Sequence, residues 1–232
     1  MARLLIHVEG QTEEAFVNAV LREHLVARGY HAVEARLLGN ARLRQQRGGI
    51  RSWSSAKADI LRHLKEDRQC VATTMVDYYG LPAVKGRAWP GRARAAGLPV
   101  GEKAICVEEA ILQDLAADLD PRFDSTRFIP FVVMHEFEAL LFSDCEALSR
   151  VVDRPSLIGE FQGIRDQFGS PEEINDSPDT APSKRIFNLV PGYEKPLLGL
   201  YAILEIGLAR VRAECPHFNS WLSRLESRAA KQ

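Results

Sequence analysis

The stretch RLLIHVEGQTEEAF (Arg3–Phe16) decides how the rest of the chain is read. Its first half is a short continuous apolar run, the pattern of a strand buried on both faces. The run stops at Glu9-Gly10, and the period then changes. Phe16, Val17, Val20, Leu21 and Leu25 recur at helical spacing. Thr12 is a suitable N-cap, and Glu13 and Glu14 suit the positive end of a helix dipole. Gly29 is a natural helix stop.

The same alternation repeats outward from this unit. His31–Leu38 reads as a second strand, closed by Gly39-Asn40, and Ser54–Asp67 as a helix carrying Ile60, Leu61 and Leu64. Cys70–Val76 is rich in β-branched residues and ends at Asp77, which predicts a third strand. Leu81–Gly101 holds Pro82, Pro90 and Pro99 and reads as loop. Glu102–Leu119 reads as a helix, Phe128–Met134 as a fourth buried strand, and His135–Phe142 as a turn directly into a helix. Beyond Asp144 the pattern is helical, most clearly in Leu197–Arg212 and Asn219–Arg228. Such βα alternation predicts an α/β fold: a mostly parallel, Rossmann-like sheet with helices on both faces, over residues 1–142. Residues 143–232 are expected to form a helical extension packed on it.

Composition bounds the function. The 232 residues are 46% hydrophobic and 26% charged, enough for a substantial core. Thirty Lys and Arg against 31 Asp and Glu leave a net charge of −1, so binding to a polyanion must come from local clustering. No apolar run approaches the ~20 residues of a membrane span. The start of the chain lacks the apolar core of a secretory signal. Cys70, Cys106, Cys145 and Cys215 are scattered without a CxxC pair, so neither a disulfide framework nor a thiolate zinc site is expected. A cytoplasmic location fits that cysteine usage. GxxxxGK[ST], GxSxG and GxGxxG are all absent, and Ala139 stands where a zincin opening at His135-Glu136 would need histidine.

The informative residues stand at the strand ends. The first strand ends in Glu9, the third in Asp77, the fourth in His135-Glu136-Phe137-Glu138. In a parallel sheet these all reach the carboxyl edge, where ligands bind. Glu13, one turn into the first helix, can point back to the same edge, although an acid is expected in a first turn anyway. Gathered carboxylates repel one another unless a cation lies between them, and hard oxygen donors suit Mg²⁺ or Mn²⁺. Glu9, Asp77, Glu136 and Glu138 are therefore the candidate metal ligands. Gly10, Thr12, Glu13, Tyr79 and His135 stand beside them as supporting residues. His135 reads as either a partner to a ligand or a core histidine.

VEGQTEEAF (Val8–Phe16) after an apolar strand resembles the first motif of TOPRIM domains, the fold of topoisomerases, bacterial primases and overcoming-lysogenization-defect nucleases. Asp77, in MVDYYGLP, resembles the first aspartate of that fold's Asp-x-Asp motif. The whole chain is similar to a group of uncharacterised bacterial TOPRIM-like proteins often encoded beside AAA-type ATPases. VEGQTEE, VDYYGLP, MHEFEALLFSD (Met134–Asp144) and APSKR (Ala181–Arg185) carry that likeness, in this order. The resemblance implies a Mg²⁺-dependent nuclease, serving phage defence or DNA repair with an ATPase partner. It departs from the pattern at Tyr79, which stands where the second aspartate would be.

Basic segments would supply the other half of a nucleic-acid site, the alternative being a pair of solvated loops or contacts to a protein partner. Residues 35–58 hold six bases and no acid, among them Arg42, Arg44, Arg47 and Arg51. Residues 78–101 also lack acids and carry Lys85, Arg87, Arg92 and Arg94 around Trp89, a candidate base-stacking ring. Lys184 and Arg185, in what reads as a polar connection, are further phosphate contacts. Lys184 would stabilise charge on a cleaving phosphodiester, beside Glu9 and Asp77 as catalytic residues. The alternatives are a catalytically inactive TOPRIM-like subunit that docks an ATPase or DNA, and nucleotidyl transfer as in primases.

Overall fold

The computed structural model describes residues 2–38, 52–175 and 180–230. Two compact units share the chain. One runs to Val132 and takes up the chain again from Ser223; the other is Val133–Leu222. The sequence reading put the division at 142/143.

In the first unit, β1 (Arg3–Val8), β2 (Ala32–Leu37), β3 (Cys70–Asp77) and β4 (Phe128–Ile129) form a parallel sheet in the order β2-β1-β3-β4, and β5 (Val132–Val133) also pairs with β3. Leu4, Ile6 and Val8 point to one face of β1 and Leu5 and His7 to the other, and all five are buried. Both faces of the central strand are thus covered, which explains its nearly continuous apolar run, broken at His7. Val8 stands opposite Leu37 and Met75. This is an α/β fold of the Rossmann-like kind.

The helix after β1 begins one residue earlier than Thr12. It consists of α1 (Gln11–Phe16), a π-helical turn (Val17–Leu21) and α2 (Arg22–Ala27). Gly10 is its N-cap, and the Glu13 carboxylate accepts the Gly10 N–H at 3.0 Å. Gly29, at φ 121°, ends the segment. α3 (Trp53–Glu66) packs on β3, and α5 (Val100–Ala116) follows a loop interrupted by the single turn α4 (Arg92–Ala95). Gly91, at φ 74°, lets that turn lie on α5, because a Cβ there would meet Cys106 O at 2.6 Å.

The fourth strand is not continuous. Pro130 has no N–H, and pairing lapses between Ile129 and Val132. Two hydroxyls of β3 fill the gap. Thr73 Oγ1 donates to Ile129 O, while Thr74 Oγ1 donates to Phe131 O and accepts its N–H, both at 2.9 Å. Buried Glu108 accepts the Val132 N–H at 2.8 Å. An unbroken strand over Phe128–Met134 is therefore corrected to two short ones.

The second unit is helical. A 3₁₀ segment (Phe137–Ser143) takes the place of the expected α-helix. α6 (Cys145–Val151), α7 (Ile158–Arg165), α8 (Pro182–Leu189), α9 (Lys195–Ile206) and α10 (Leu208–Glu214) follow. α11 (Pro216–Ala230) is divided between the units, its residues from Ser223 on belonging to the first. Pro182 occupies the first turn of α8, where a missing N–H costs nothing, so PSKR opens a helix rather than forming a polar connection. No described helix is long and apolar enough to cross a membrane, and all four cysteines are free and buried.

Candidate metal and nucleic-acid site

The strand order fixes where a ligand belongs. The chain passes from β1 outward to β2, then returns past β1 to β3. The carboxyl ends of β1 and β3 therefore border the point where winding reverses, the usual binding crevice of such sheets. Glu9 is the first residue after β1, and Asp77 is the last of β3. The two leave adjoining parallel strands at one rim.

The turn after β3 completes the arrangement. Gly80 N donates to Asp77 O at 3.0 Å, folding the chain back at once. The Glu9 carboxylate lies directly on Gly80: a Cβ there would fall 2.7 Å from Oε1 and 2.8 Å from Cδ. Glu9 thus reaches across the rim from β1 to the turn that Asp77 begins, into space that a side chain at position 80 would contest. Its Oε2 is buried. Two hard oxygen donors in such a place fit Mg²⁺ or Mn²⁺, because Mg²⁺ is usually held by one or two carboxylates and completes its shell with water and phosphate. Among the described residues, no group of three or more His, Cys, Asp and Glu side chains is placed to hold a metal.

The remaining acids have other partners. Glu13, 5% exposed, caps the Gly10 turn, as an acid in a first helical turn commonly does. In the second unit Glu136 accepts the Ser183 N–H at 3.0 Å, at the start of α8. Glu138 is 2% exposed and accepts from Lys195 Nζ at 3.0 Å. Burial raises its pKa to about 7 and the nearby Glu136 charge adds to the rise, against the pull of the half-exposed lysine. Burial raises the Tyr193 phenol as well, with the Glu138 charge adding to it, and the Tyr193 hydroxyl is buried without a hydrogen-bond partner among the described residues. The expectation of Glu136 and Glu138 as open metal ligands thus meets two carboxylates already engaged inside their own unit. His135 is buried.

The cationic residues divide. Arg42, Arg44, Arg47 and Arg51 lie outside the described residues. Lys85 and Arg87 are exposed. Arg92 is held by the chain itself: it donates to Tyr78 O and to the Tyr78 hydroxyl, each at 3.1 Å, and its guanidinium lies 4.0 Å from that ring's centroid. Arg94 donates to Cys106 Sγ at 3.1 Å. Trp89 is corrected from a base-stacking ring to a core residue, 2% exposed and packed on Trp53 at 5.0 Å. Lys184 is exposed in the first turn of α8, and Arg185 donates to Thr180 O. Tyr79 is half-exposed beside Tyr78.

Sequence reasoning passed over Gly80 and Lys195. Gly80 carries a visible signal, a glycine three residues past a strand-ending acid. Lys195 carries none, since it meets Glu138 across 57 residues of chain.

Among solved structures, the chain is similar to the C-terminal region of the OLD protein of Xanthomonas campestris pv. campestris. The two share 14% identity at a TM-score of 0.42, over 100% of this chain and 97% of that one. No curated protein matches it. The profile of the domain of unknown function DUF4276 matches residues 8–226, and the chain belongs to that family.

Proposed function

We propose that the chain is a TOPRIM-like, Mg²⁺-dependent phosphodiesterase that cleaves nucleic acid at the rim formed by Glu9 and Asp77. The observation that carries this reading is the Glu9 carboxylate seated on Gly80, at the turn that Asp77 begins, where the winding reverses. Glu9 and Asp77 would hold the ion. A bound divalent cation supplies charge stabilisation at the scissile phosphate and a more acidic water. The protein's part is to fix both carboxylates on rigid strand ends, so that little rearrangement is needed on binding. Glu9, partly buried at the rim, would also be the group that takes a proton from an attacking water. Exposed Lys85 and Arg87, in the loop after β3, would hold backbone phosphate. Service in phage defence or DNA repair beside an AAA-type ATPase, in the cytoplasm, belongs to the same proposal.

Tyr79 favours a second reading. A phenol stands where a TOPRIM site has its second aspartate, which suits a subunit that retains the fold and docks DNA or an ATPase without cutting. Incubating plasmid and single-stranded DNA with the chain in Mg²⁺ or Mn²⁺ separates the two. Cleavage by wild type that Asp77→Ala abolishes supports the nuclease. Equal cleavage by both, or none by either, rejects it. Incorporation of nucleoside triphosphates without scission would point to nucleotidyl transfer.

A further inference from the structure

A second basic site lies at the opposite rim of the sheet. A cavity of about 650 Å³ opens among the end of α3, the connection from α5 to β4, and the tail of α11. Arg127 marks its floor. It donates through Nε to Cys70 O, the first residue of β3, at 2.9 Å, whereas Asp77 is the last. The same guanidinium donates to Leu64 O and Asp67 O, and lies 5.0 Å from the centroid of the Phe123 ring.

Charge in this cavity is lopsided in a chain that is nearly neutral overall. Lys65, Arg68, Arg122, Arg127 and Arg228 line it, against Asp120 and Asp124. Asp120 is taken by Arg122, at 3.1 Å through two nitrogens, and Asp124 by Arg228 at 3.0 Å. Lys65 and Arg68 form no ion pair among the described residues. The Arg228 Nε is buried and has no acceptor among the described residues, an orphaned donor of the kind a bound oxyanion satisfies. Guanidinium forks match phosphate oxygens, the volume falls in the range of small-ligand sites, and Phe123 offers a ring beside the charged groups.

We propose that this cavity binds the phosphate ester of a nucleotide, at a place distinct from the Glu9–Asp77 rim. Lys65, Arg68 and Arg228 contact the phosphate. Arg127, committed to three carbonyls, contributes its charge, and Phe123 flanks the nucleoside. The phosphate comes either from a free mononucleotide or from a polynucleotide backbone. The site does not depend on whether the chain cleaves nucleic acid.

Calorimetric titration of the full chain tests it, with AMP, a short single-stranded oligonucleotide lacking terminal phosphates, and inorganic phosphate as probes. Lys65 and Arg68 are exposed, so the double variant Lys65→Ala/Arg68→Ala keeps the wild-type melting temperature. It should weaken AMP or oligonucleotide binding by at least about tenfold, the scale of losing one charge-assisted contact. Asp77→Ala should leave AMP binding unchanged. Loss confined to AMP identifies a mononucleotide site, and loss with the oligonucleotide identifies the backbone. No binding of any probe, binding of inorganic phosphate alone, or binding the double variant does not alter would each overturn the proposal.

Discussion

The Glu9 carboxylate occupies the space a side chain at Gly80 would need, strand end against turn: a Cβ there would fall 2.7 Å from its Oε1. The contact makes Gly80→Ala a selective probe. Gly80 is not in the left-handed region, so the substitution carries no backbone strain and only the mobile carboxylate must move. Stability should change by less than about 1 kcal/mol in urea denaturation, while Mn²⁺ affinity falls by about tenfold or more as Glu9 is pushed off its seat.

Tyr79 is the second of the turn's two central residues and is half-exposed, so it can be replaced without opening the core. Tyr79→Asp adds a third hard donor at the rim. Mn²⁺ affinity measured by calorimetry should rise several-fold, and plasmid cleavage should rise with it.

Arg127 ties the end of α3 to the start of β3. Arg127→Met strips donors from the buried Leu64 O and Cys70 O, and from Asp67 O, which is part-buried and keeps the Cys70 N–H. Leaving buried carbonyls unsatisfied should cost about 2–4 kcal/mol, read as a lower urea midpoint. Arg127→Lys keeps the charge but not the fork and should fall between.

Glu138 and His7 give opposite pH slopes. Glu138 has its pKa raised from 4.5 to about 7, so the folded state keeps a proton that the unfolded chain releases. Its contribution is present at low pH and is lost as pH rises from about 4.5 to 7, by about 3 kcal/mol in total. Glu138→Gln should remove that loss and be the more stable protein above pH 7. His7 runs the other way. Burial first, then the neighbouring His63, 3.2 Å from His7 Nε2, pushes its pKa from 6.5 down to about 3. The folded state there refuses a proton that the unfolded chain takes, so stability is lost as pH falls below 6.5. Urea midpoints across pH 4–8 for wild type, Glu138→Gln and His7→Gln separate the two.

The sheet was readable because its strands are short, apolar and bounded by acids or glycine. Leu4–Val8 and Cys70–Val76 need no tertiary information to be recognised. Phe128–Met134 misled because hydropathy does not register that Pro130 cannot donate, or that Thr73 and Thr74 would supply the missing bonds from 56 and 57 residues away. Trp89 misled for a related reason: a tryptophan among arginines reads as exposed, yet Trp53 draws it inward. Glu9 and Asp77 were legible as candidates because strand order alone brings them to one rim. The engagement of Glu138 by Lys195 rests on a contact between distant residues that no local pattern encodes.

The central claim is that Glu9 and Asp77 share one divalent ion. Anomalous scattering from crystals soaked in Mn²⁺ tests it most directly. A peak within coordination distance of both carboxylates, absent in Asp77→Asn, is the predicted result. Well-ordered wild-type crystals with no peak at that rim, or with manganese bound only elsewhere, would contradict it.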